Sequence, residues 1–223
     1  MSSTNHLFST RKTYINPKEV KIIQSALNVF STYGFQGASI EQIANETGIS
    51  KSNLFYYFSS KEELYIEVLS QVLEEWLKPL KDFTLEQQPA EAIGNYIDVK
   101  FLLSKKKPEA SRLYAFEMMQ GAPYLLPLLK GPLKKLVKEK TEIIDLWIEK
   151  GQLKPVSALH LIFHIWAVSQ HYSDFAVQCQ AITGKTLTNK VFYQDALTTC
   201  RQLILESLIP DEHKALLTEN PDQ

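Results

Sequence analysis

Apolar residues recur at helical spacing along nearly the whole chain, and short polar breaks separate the helices that they predict. The first predicted helix begins at Asn16-Pro17, because asparagine caps helices well and proline suits the first helical position. It ends at Gly34. One face of this helix carries the apolar positions Val20, Ile23, Leu27 and Phe30. We expect this face to support the short helices that follow.

The next stretch, Ser39 to Lys61, predicts two short helices joined by a tight turn. It has the sequence S-I-E-Q-I-A-N-E-T-G-I-S-K-S-N-L-F-Y-Y-F-S-S-K. Ser39 and Ser50 are N-cap residues, each placed immediately before a helical pattern. Gly48 lies where the chain must leave the first of the two helices, and glycine adopts a left-handed backbone at little cost. The stretch is therefore a candidate helix-turn-helix.

The second of these helices, predicted over Lys51 to about Phe58, has one apolar and one polar face. Leu54 and Phe58 are four residues apart and predict the inward face. The other side chains are hydrogen-bond donors or carry hydroxyls: Lys51, Ser52, Asn53, Tyr56 and Tyr57. Lysine reads guanine and asparagine reads adenine in the major groove, while hydroxyl groups reach phosphates. After Ser60 caps a further helix, Lys61 adds a charge to an N-terminus that suits a phosphate.

The remainder of the chain also predicts helices, and no strand pattern is evident. The expected helices run from Ser60 to Phe83, from Pro89 to Lys105, from Pro108 to before Gly121, from Pro127 to Lys150 with an interruption at Gly131-Pro132, from Ser157 to Gln180, and from Lys190 to Ile209. The last two form a terminal helix pair, and the first of them, predicted from Ser157, is apolar on more than one side. We expect them to form a four-helix interface with a second copy of the chain, and burial within a monomer is the alternative.

Charge is distributed unevenly between the two predicted domains, a head (residues 1–61) and a body (residues 62–223). Residues 1–61 hold six basic and three acidic residues, a net charge of +3, whereas the whole chain carries −1, which leaves −4 for the body. A basic head on an acidic body fits contact with DNA at one end. Arg11 and Lys12 make the N-terminal segment a candidate basic arm that touches DNA beside the head, and a disordered leader is the alternative.

A second candidate site lies in the body, on the helix predicted from Ser157. Trp166, Gln170 and Asp174 follow one another at intervals of four residues and form one stripe, with Tyr172 nearby. Other body helices carry the same mixture of flat rings and charged groups: Trp76, Lys100, Arg112 and Glu117. Such residues suit a small planar heterocycle. The alternative is an aromatic core with internal ion pairs, such as Arg112 with Glu117.

The stretch G-A-S-I-E-Q-I-A-N-E-T-G-I-S-K-S-N-L-F-Y-Y-F-S-S-K-E-E-L resembles the DNA-binding domain of TetR-type regulators. The resemblance implies an all-α dimer that binds operator DNA and holds an effector in its body. It implies base contacts from Lys51, Ser52 and Asn53. It also implies phosphate contacts from Ser39, Ser50, Tyr56, Tyr57 and Lys61. Phe55 departs from the family pattern, which often has a tyrosine there.

Body segments such as K-P-E-A-S-R-L-Y-A-F-E-M-M-Q-G-A-P and L-H-L-I-F-H-I-W-A-V-S-Q-H-Y-S-D-F extend the resemblance. They are similar to a pyrimidine-responsive member of the family. This implies uracil or thymine as the effector and genes of pyrimidine or nucleotide metabolism as targets. A regulator that responds to an aromatic drug or an acyl ligand is the alternative.

The common motifs of enzymes, metal sites and secretion are not evident in the sequence. His160 and His164 are four residues apart but lack an evident third ligand. The chain has no G-x-S-x-G, P-loop or G-x-G-x-x-G motif, and we expect neither an enzyme nor a cofactor. Cys179 and Cys200 cannot form a disulfide framework, and no signal peptide is evident. The sequence thus predicts a cytoplasmic protein.

Overall fold

The computed structural model describes residues 16–211, and every regular element in that range is a helix. The α-helices are α1 (Pro17–Gly37), α2 (Ile40–Thr47), α3 (Lys51–Tyr57), α4 (Lys61–Lys81), α5 (Pro89–Lys106), α6 (Pro108–Met119), α7 (Leu126–Leu128), α8 (Lys134–Glu149), α9 (Ala158–Asp174), α10 (Ala176–Thr183) and α11 (Lys190–Arg201). Two π-helical turns, Leu129–Leu133 and Gln202–Glu206, adjoin α8 and α11. The predicted all-α fold is confirmed. The candidate basic arm around Arg11 and Lys12 lies outside the described residues.

The chain divides into two compact units. Of the described residues, the first unit takes in residues 16–75 together with Glu109–Leu133. The second takes in Trp76–Pro108 and residues 134–211. The domain boundary expected after residue 61 falls inside the first unit.

Helices α1 to α3 form the predicted helix-turn-helix head within the first unit. Asn16 caps α1 by a reciprocal pair of hydrogen bonds with Glu19, and Ser39 caps α2 in the same way with Gln42. Such pairs satisfy backbone N–H groups that a helix start would otherwise leave without acceptors. Gly48 ends α2 with φ of 77°, in the left-handed region, as expected. The core between the three helices consists of fully buried side chains: Ile22, Phe30, Ile43, Leu54 and Phe58.

Two predicted boundaries differ from the structure, and one predicted interruption is found. Gly34 interrupts α1 with a φ of 67°, but the helix resumes and continues to Gly37. The interruption expected at Gly131-Pro132 is a π-helical turn, since proline lacks the N–H that a regular α-helix requires. The helix expected from Ser157 to Gln180 breaks at Phe175, where φ is −110° and ψ is 31°. No glycine or proline marks that break, so periodicity alone could not locate it.

In the second unit, α5 packs closely against α9 through small polar residues. The Ser104 hydroxyl donates to the Ser169 carbonyl at 2.8 Å, and the Ser173 hydroxyl donates to the Ser104 carbonyl at 2.9 Å. All three serines are buried. These two bonds in opposite directions fix the register of the two helices and satisfy polar groups that burial would otherwise penalise.

Helix α11 is attached to α5 by an ion pair in the same unit. The Arg201 guanidinium donates to Asp98 at 2.6 Å. A β-carbon at Gly94 would lie 3.1 Å from the Arg201 Nη2 atom, so the glycine leaves room for the guanidinium against α5. Within residues 16–211, no helix is both long and apolar enough to cross a membrane.

Candidate functional site

The polar face of α3 points to solvent, and its apolar residues anchor it. Leu54 and the following Phe58 are fully buried. Lys51 and Ser52 are exposed, Asn53 is half-buried, and the Tyr56 side chain is 83% exposed. Ser50 caps the helix, its hydroxyl accepting from the Asn53 N–H at 3.1 Å. The helix therefore presents donors and a hydroxyl outward from a fixed start, which is the arrangement that a major groove accepts.

The predicted phosphate-binding residues occupy several different environments. Ser39 and Ser50 use their oxygen atoms as helix caps, which leaves each hydroxyl hydrogen available to donate. The Tyr57 side chain is half-buried and its ring packs edge-on against Tyr56, with 5.2 Å between the ring centroids. Ser50 and Tyr57 therefore belong to α3, whereas Ser39 lies at the start of α2.

Lys61, predicted to bind phosphate, is turned toward the protein. Its ammonium group donates to the carbonyls of Phe35 at 2.8 Å and Ala38 at 3.0 Å, and it lies 4.4 Å from the centroid of the Phe35 ring. Because an ammonium group carries three donors, one remains for a phosphate. Lys61 thus ties the start of α4 to the residues around the end of α1, a contact that the sequence did not suggest.

Lys51, the first residue of α3, is paired with an acidic side chain from α2. Its ammonium group donates to Glu41, and both side chains are largely exposed. The hydrogen bond from Lys51 lowers the pKa of the Glu41 carboxyl. The candidate base-reading lysine is therefore already in contact with an anion before any DNA is present.

The second unit brings several predicted effector residues together around Lys100. The Lys100 side chain is only 3% exposed. Its ammonium group donates to the Gln170 amide oxygen at 3.1 Å and lies 4.3 Å from the centroid of the Trp76 ring. Burial lowers the pKa of Lys100 to about 7, and the charge of Asp174 opposes that shift. Residues from α4, α5 and α9 therefore meet at one buried amine.

Tyr96, one helical turn before Lys100, completes this cluster and was not among the predicted site residues. Its hydroxyl accepts a hydrogen bond from the Trp166 indole N–H at 2.5 Å. Tyr96 is fully buried and Trp166 is half-buried. The spacing of four residues between Tyr96 and Lys100 on α5 was the available signal, because it places both on one face. Tyr96 sets the orientation of the Trp166 ring.

Tyr172 lies among aromatic rings near the same helices. Its ring centroid is 5.7 Å from that of Phe101 and 6.0 Å from that of Phe192. Burial raises the pKa of its phenol, so the hydroxyl stays protonated and can donate.

Two further predicted effector residues belong to the first unit instead. Arg112 is exposed on α6. Glu117, only 1% exposed, accepts hydrogen bonds from the Tyr65 hydroxyl at 3.2 Å and from the backbone N–H groups of Tyr124 and Leu125 at 2.7 and 3.1 Å. The suggested internal ion pair between Arg112 and Glu117 is not among the contacts of residues 16–211. Hydroxyl and backbone donors, rather than a guanidinium, hold the Glu117 carboxylate.

Two family descriptions cover nearly all the described residues. Residues 22–68 match the family described as bacterial regulatory proteins, tetR family. Residues 69–211 match the family described as YcdC-like protein, C-terminal region. The two matched segments meet within α4, after Val68.

Individual proteins show the same relationship at full length. The chain is 46% identical over 200 residues to the HTH-type transcriptional regulator RutR of Escherichia coli (strain K12), covering 90% of this chain and 94% of that protein. It is 26% identical over 213 residues to the HTH-type transcriptional repressor NicS of Pseudomonas putida, covering 89% and 98%.

Solved structures share the fold at low sequence identity. The ketosteroid transcriptional regulator KstR2 of Mycobacterium tuberculosis aligns with a TM-score of 0.66 at 15% identity, covering 89% of this chain and 98% of that one. AibR, crystallised with isovaleryl coenzyme A and operator DNA, aligns with a TM-score of 0.64 at 14% identity, covering 84% and 98%. These likenesses establish a common architecture.

Proposed function

Since the chain belongs to the TetR family of bacterial transcriptional regulators, we propose that it is a dimeric, cytoplasmic regulator that a free pyrimidine releases from its operator. The family membership makes it a DNA-binding transcriptional regulator. We propose in addition that the effector is a pyrimidine, that the target genes belong to pyrimidine or nucleotide metabolism, and that individual residues have the roles given below. Its 46% identity to RutR, which extends over 90% of this chain, supports a shared role.

The proposed DNA contacts follow the exposed face of α3. Lys51, Ser52 and Asn53 reach base edges from the first turn, where a recognition helix enters the major groove. Ser39, Ser50, Tyr56, Tyr57 and Lys61 hold phosphates. A base-reading residue affects the choice of sequence, whereas a phosphate-binding residue affects affinity for all sequences.

A second copy of the chain is the proposed partner of the C-terminal helices. Exposed apolar side chains occur on α9, the α9–α10 junction, α10, α11 and the turn after α11: Leu159, Phe163, Phe175, Val177, Ile182, Val191 and Leu203. Exposed apolar area of this kind is typical of an interface. A two-fold dimer would also place two α3 helices on successive major grooves, which an operator with two half-sites requires.

The observation that carries the effector proposal is the incomplete hydrogen bonding of Lys100. An ammonium group has three donors, and within residues 16–211 this one has a single hydrogen-bond acceptor, the Gln170 amide oxygen. A buried donor without an acceptor is costly, on the order of 1–3 kcal/mol. A ligand that brings a carbonyl oxygen to Lys100 would remove that cost.

A pyrimidine has the groups that this cluster lacks. Each carbonyl of uracil or thymine can accept from Lys100, while the adjacent ring N–H can donate to the amide oxygen of Gln170. The flat ring can stack on an indole, Trp76 or Trp166. The charge on Lys100 also argues against a purely apolar acyl chain, which could not satisfy a buried ammonium group.

The ligand can release DNA only by binding two states of the protein differently. A pyrimidine that prefers the conformation unsuited to the operator lowers operator affinity by that difference in binding free energy. The operator must lower pyrimidine affinity by the same factor, because the linkage is reciprocal.

A thermal-shift experiment with nucleobases tests the effector. We expect uracil or thymine at millimolar concentration to raise the Tm of the wild type by about 3 °C or more, since a ligand stabilises the state to which it binds. Trp166→Ala should lose this shift. His164→Ala, an exposed position on the same helix, should keep it. If octanoate or a planar drug raises the Tm and neither uracil nor thymine does, the effector is an acyl ligand or an aromatic drug and not a pyrimidine.

Selection of operators from a random duplex library tests the DNA-binding residues. Asn53→Ala should bind a wider range of bases at one position of each half-site, with a loss of about 1–3 kcal/mol on the preferred operator. Asn45→Ala, an exposed asparagine on α2, serves as the control and should select the wild-type sequence. If Asn53→Ala selects the same sequence with unchanged preference, Asn53 does not read a base.

A further inference from the structure

Helices α5 and α9 of the second unit run in the same direction and are joined by hydrogen bonds at three successive turns. Trp166 donates to Tyr96, Lys100 donates to Gln170, and Ser104 exchanges hydrogen bonds with two serines of α9. On each helix the first two contacts are four residues apart, which is about 6 Å along the helix axis. The Trp166 indole therefore lies one helical turn from the buried amine, a separation that a single pyrimidine ring with its carbonyl groups can span.

The Trp166 indole has a single N–H group, and this group is engaged within the protein. The Tyr96 hydroxyl accepts from it at 2.5 Å. Tyr96 is fully buried, and its ring packs edge-on against Phe83 with 5.9 Å between the ring centroids, so the hydroxyl is held in one place. What Trp166 can offer to a ligand is therefore the face of its ring.

Trp76, the other tryptophan next to Lys100, has little ring surface left for a ligand. Its side chain is only 3% exposed, and the Lys100 ammonium group lies over its ring, 4.3 Å from the centroid. A cation and a flat heterocycle cannot occupy the same face of one indole. Trp166 is half-buried, with the tilted ring of Phe163 at 5.6 Å between centroids. Of the two indoles, Trp166 is the one with accessible surface.

We propose that Tyr96 is a positioning residue of the effector site, which fixes the Trp166 indole as the surface on which the pyrimidine ring stacks. This inference rests on the proposed function, which assigns the pyrimidine to this cluster. Trp166 then holds the ligand through its ring and not through its N–H, while Lys100 and Gln170 bind the polar edge of the ligand. A ring that is already held in one orientation loses less entropy on binding, so the Tyr96 hydroxyl increases affinity without touching the ligand.

Two substitutions at position 166 test which part of the indole is used. Trp166→Phe keeps an aromatic face but loses the bond to Tyr96, and we expect it to weaken uracil binding about three- to tenfold in calorimetric titration. Trp166→Ala removes the face as well and should weaken binding about 10- to 100-fold, as for bases stacked on aromatic side chains. If both substitutions weaken binding by the same factor, the ligand does not stack on Trp166 and the inference is wrong.

Tyr96→Phe removes the acceptor of the indole N–H and keeps the ring. We expect this variant to bind uracil about three- to tenfold more weakly than the wild type. In a Trp166→Phe background the same change should alter the affinity less than about twofold, because no indole is left for the hydroxyl to hold. An equal loss in both backgrounds would mean that Tyr96 does not act through Trp166.

A matched control and a spectroscopic measurement separate positioning from a general loss of stability. Tyr65→Phe also removes a fully buried hydroxyl, one that donates to Glu117 in the first unit, and should bind uracil as the wild type does. Fluorine NMR of protein labelled with fluorotryptophan reports on each of the three tryptophans. Without uracil, Tyr96→Phe should move the Trp166 resonance and leave that of Trp147 in place. An unmoved Trp166 resonance would show that Tyr96 does not hold the indole.

The outcomes distinguish this inference from the proposed function. If neither uracil nor thymine binds to the wild type, the proposed effector is wrong and the inference falls with it. If the wild type binds uracil and Tyr96→Phe binds it equally well, the effector stands and Tyr96 is not a positioning residue. Circular dichroism and Tm check that each variant is folded. If Tyr96→Phe does not fold, the comparison of Trp166→Phe with Trp166→Ala still decides whether the ring of Trp166 carries the ligand.

Discussion

Each of the two units buries a charged side chain, and the two side chains differ in their hydrogen bonding. In the first unit, the Glu117 carboxylate accepts three hydrogen bonds, one from Tyr65 and two from backbone N–H groups. In the second unit, the Lys100 ammonium group has one hydrogen-bond acceptor within residues 16–211 and lies against the Trp76 ring, and burial lowers its pKa to about 7. Both residues looked alike in the sequence, as charged groups among aromatic residues.

The difference shows that burial of a charge does not by itself indicate a ligand site. Three donors bond to the Glu117 carboxylate, which therefore has a structural role in joining α4, α6 and the turn before α7. In the described part of the chain, Lys100 has one hydrogen-bond acceptor, and burial lowers its pKa. Unused hydrogen-bonding capacity is therefore the better guide to where a ligand would bind.

The largest expected effect comes from Glu117→Leu. This change removes the acceptor from the Tyr65 hydroxyl and the N–H groups of Tyr124 and Leu125, so we expect a loss of about 2–4 kcal/mol in the free energy of unfolding. Urea denaturation followed by circular dichroism measures it, with Glu62→Leu as the exposed control. A loss below about 0.5 kcal/mol would show that those groups find other acceptors, and the contrast with Lys100 would fail.

Lys100→Met should change the free energy of unfolding in the opposite direction to Glu117→Leu. Unfolded Lys100 has a pKa near 10.5 and folded Lys100 near 7, so the unfolded state binds more protons between these pH values. The wild type must therefore gain stability as pH rises from 7 toward 10. We expect Lys100→Met to stabilise the fold by about 1–3 kcal/mol at pH 6, with the gain fading by pH 10.

The same variant should bind uracil about 10- to 100-fold more weakly, because it loses a charge-assisted hydrogen bond. Denaturant unfolding at several pH values and calorimetric titration with uracil measure the two effects. Destabilisation at pH 6 would indicate that Lys100 is as well satisfied as Glu117. Unchanged uracil affinity would remove Lys100 from the effector site.

Gln170→Glu should make the surroundings of Lys100 more like those of Glu117, because it gives the buried charge a stronger hydrogen-bond partner. Of the three substitutions, we expect it to have the smallest effect on stability. A carboxylate accepting from Lys100 would raise the pKa of the amine, because an opposite charge favours its protonated form. We expect the rise in Tm between pH 7 and pH 9.5 to shrink, by an amount corresponding to about 1 kcal/mol. Gln180→Glu, on exposed α10, is the control. An unchanged pH dependence would show that Gln170 does not govern the state of Lys100.

The sequence predicted the head more completely than the effector site. The caps at Asn16, Ser39 and Ser50 and the left-handed turn at Gly48 involve only residues close in the chain, so local chemistry specified them. The stripe of Trp166, Gln170 and Asp174 also consists of residues close in the sequence. The residues that contact this stripe are distant in the sequence. Tyr96 bonds to Trp166 across 70 positions of sequence, and no local pattern identifies such a pair.

The same limit explains why two predicted effector residues belong to the first unit, whereas Lys100 belongs to the second. Arg112 and Glu117 have the residue types of a ligand site, but residue type carries no information about which unit a helix joins. The Glu41–Lys51 pair was missed for a related reason, because its members lie on different helices of the head.

The amino-acid sequence by itself determined the helical class, the helix-turn-helix and the polar face of α3, because capping, periodicity and glycine geometry act over a few residues. The tertiary structure decided which buried charge is satisfied and which is not. That distinction depends on partners brought from residues distant in the chain. Among the described residues, packing gives Glu117 three donors and Lys100 one hydrogen-bond acceptor.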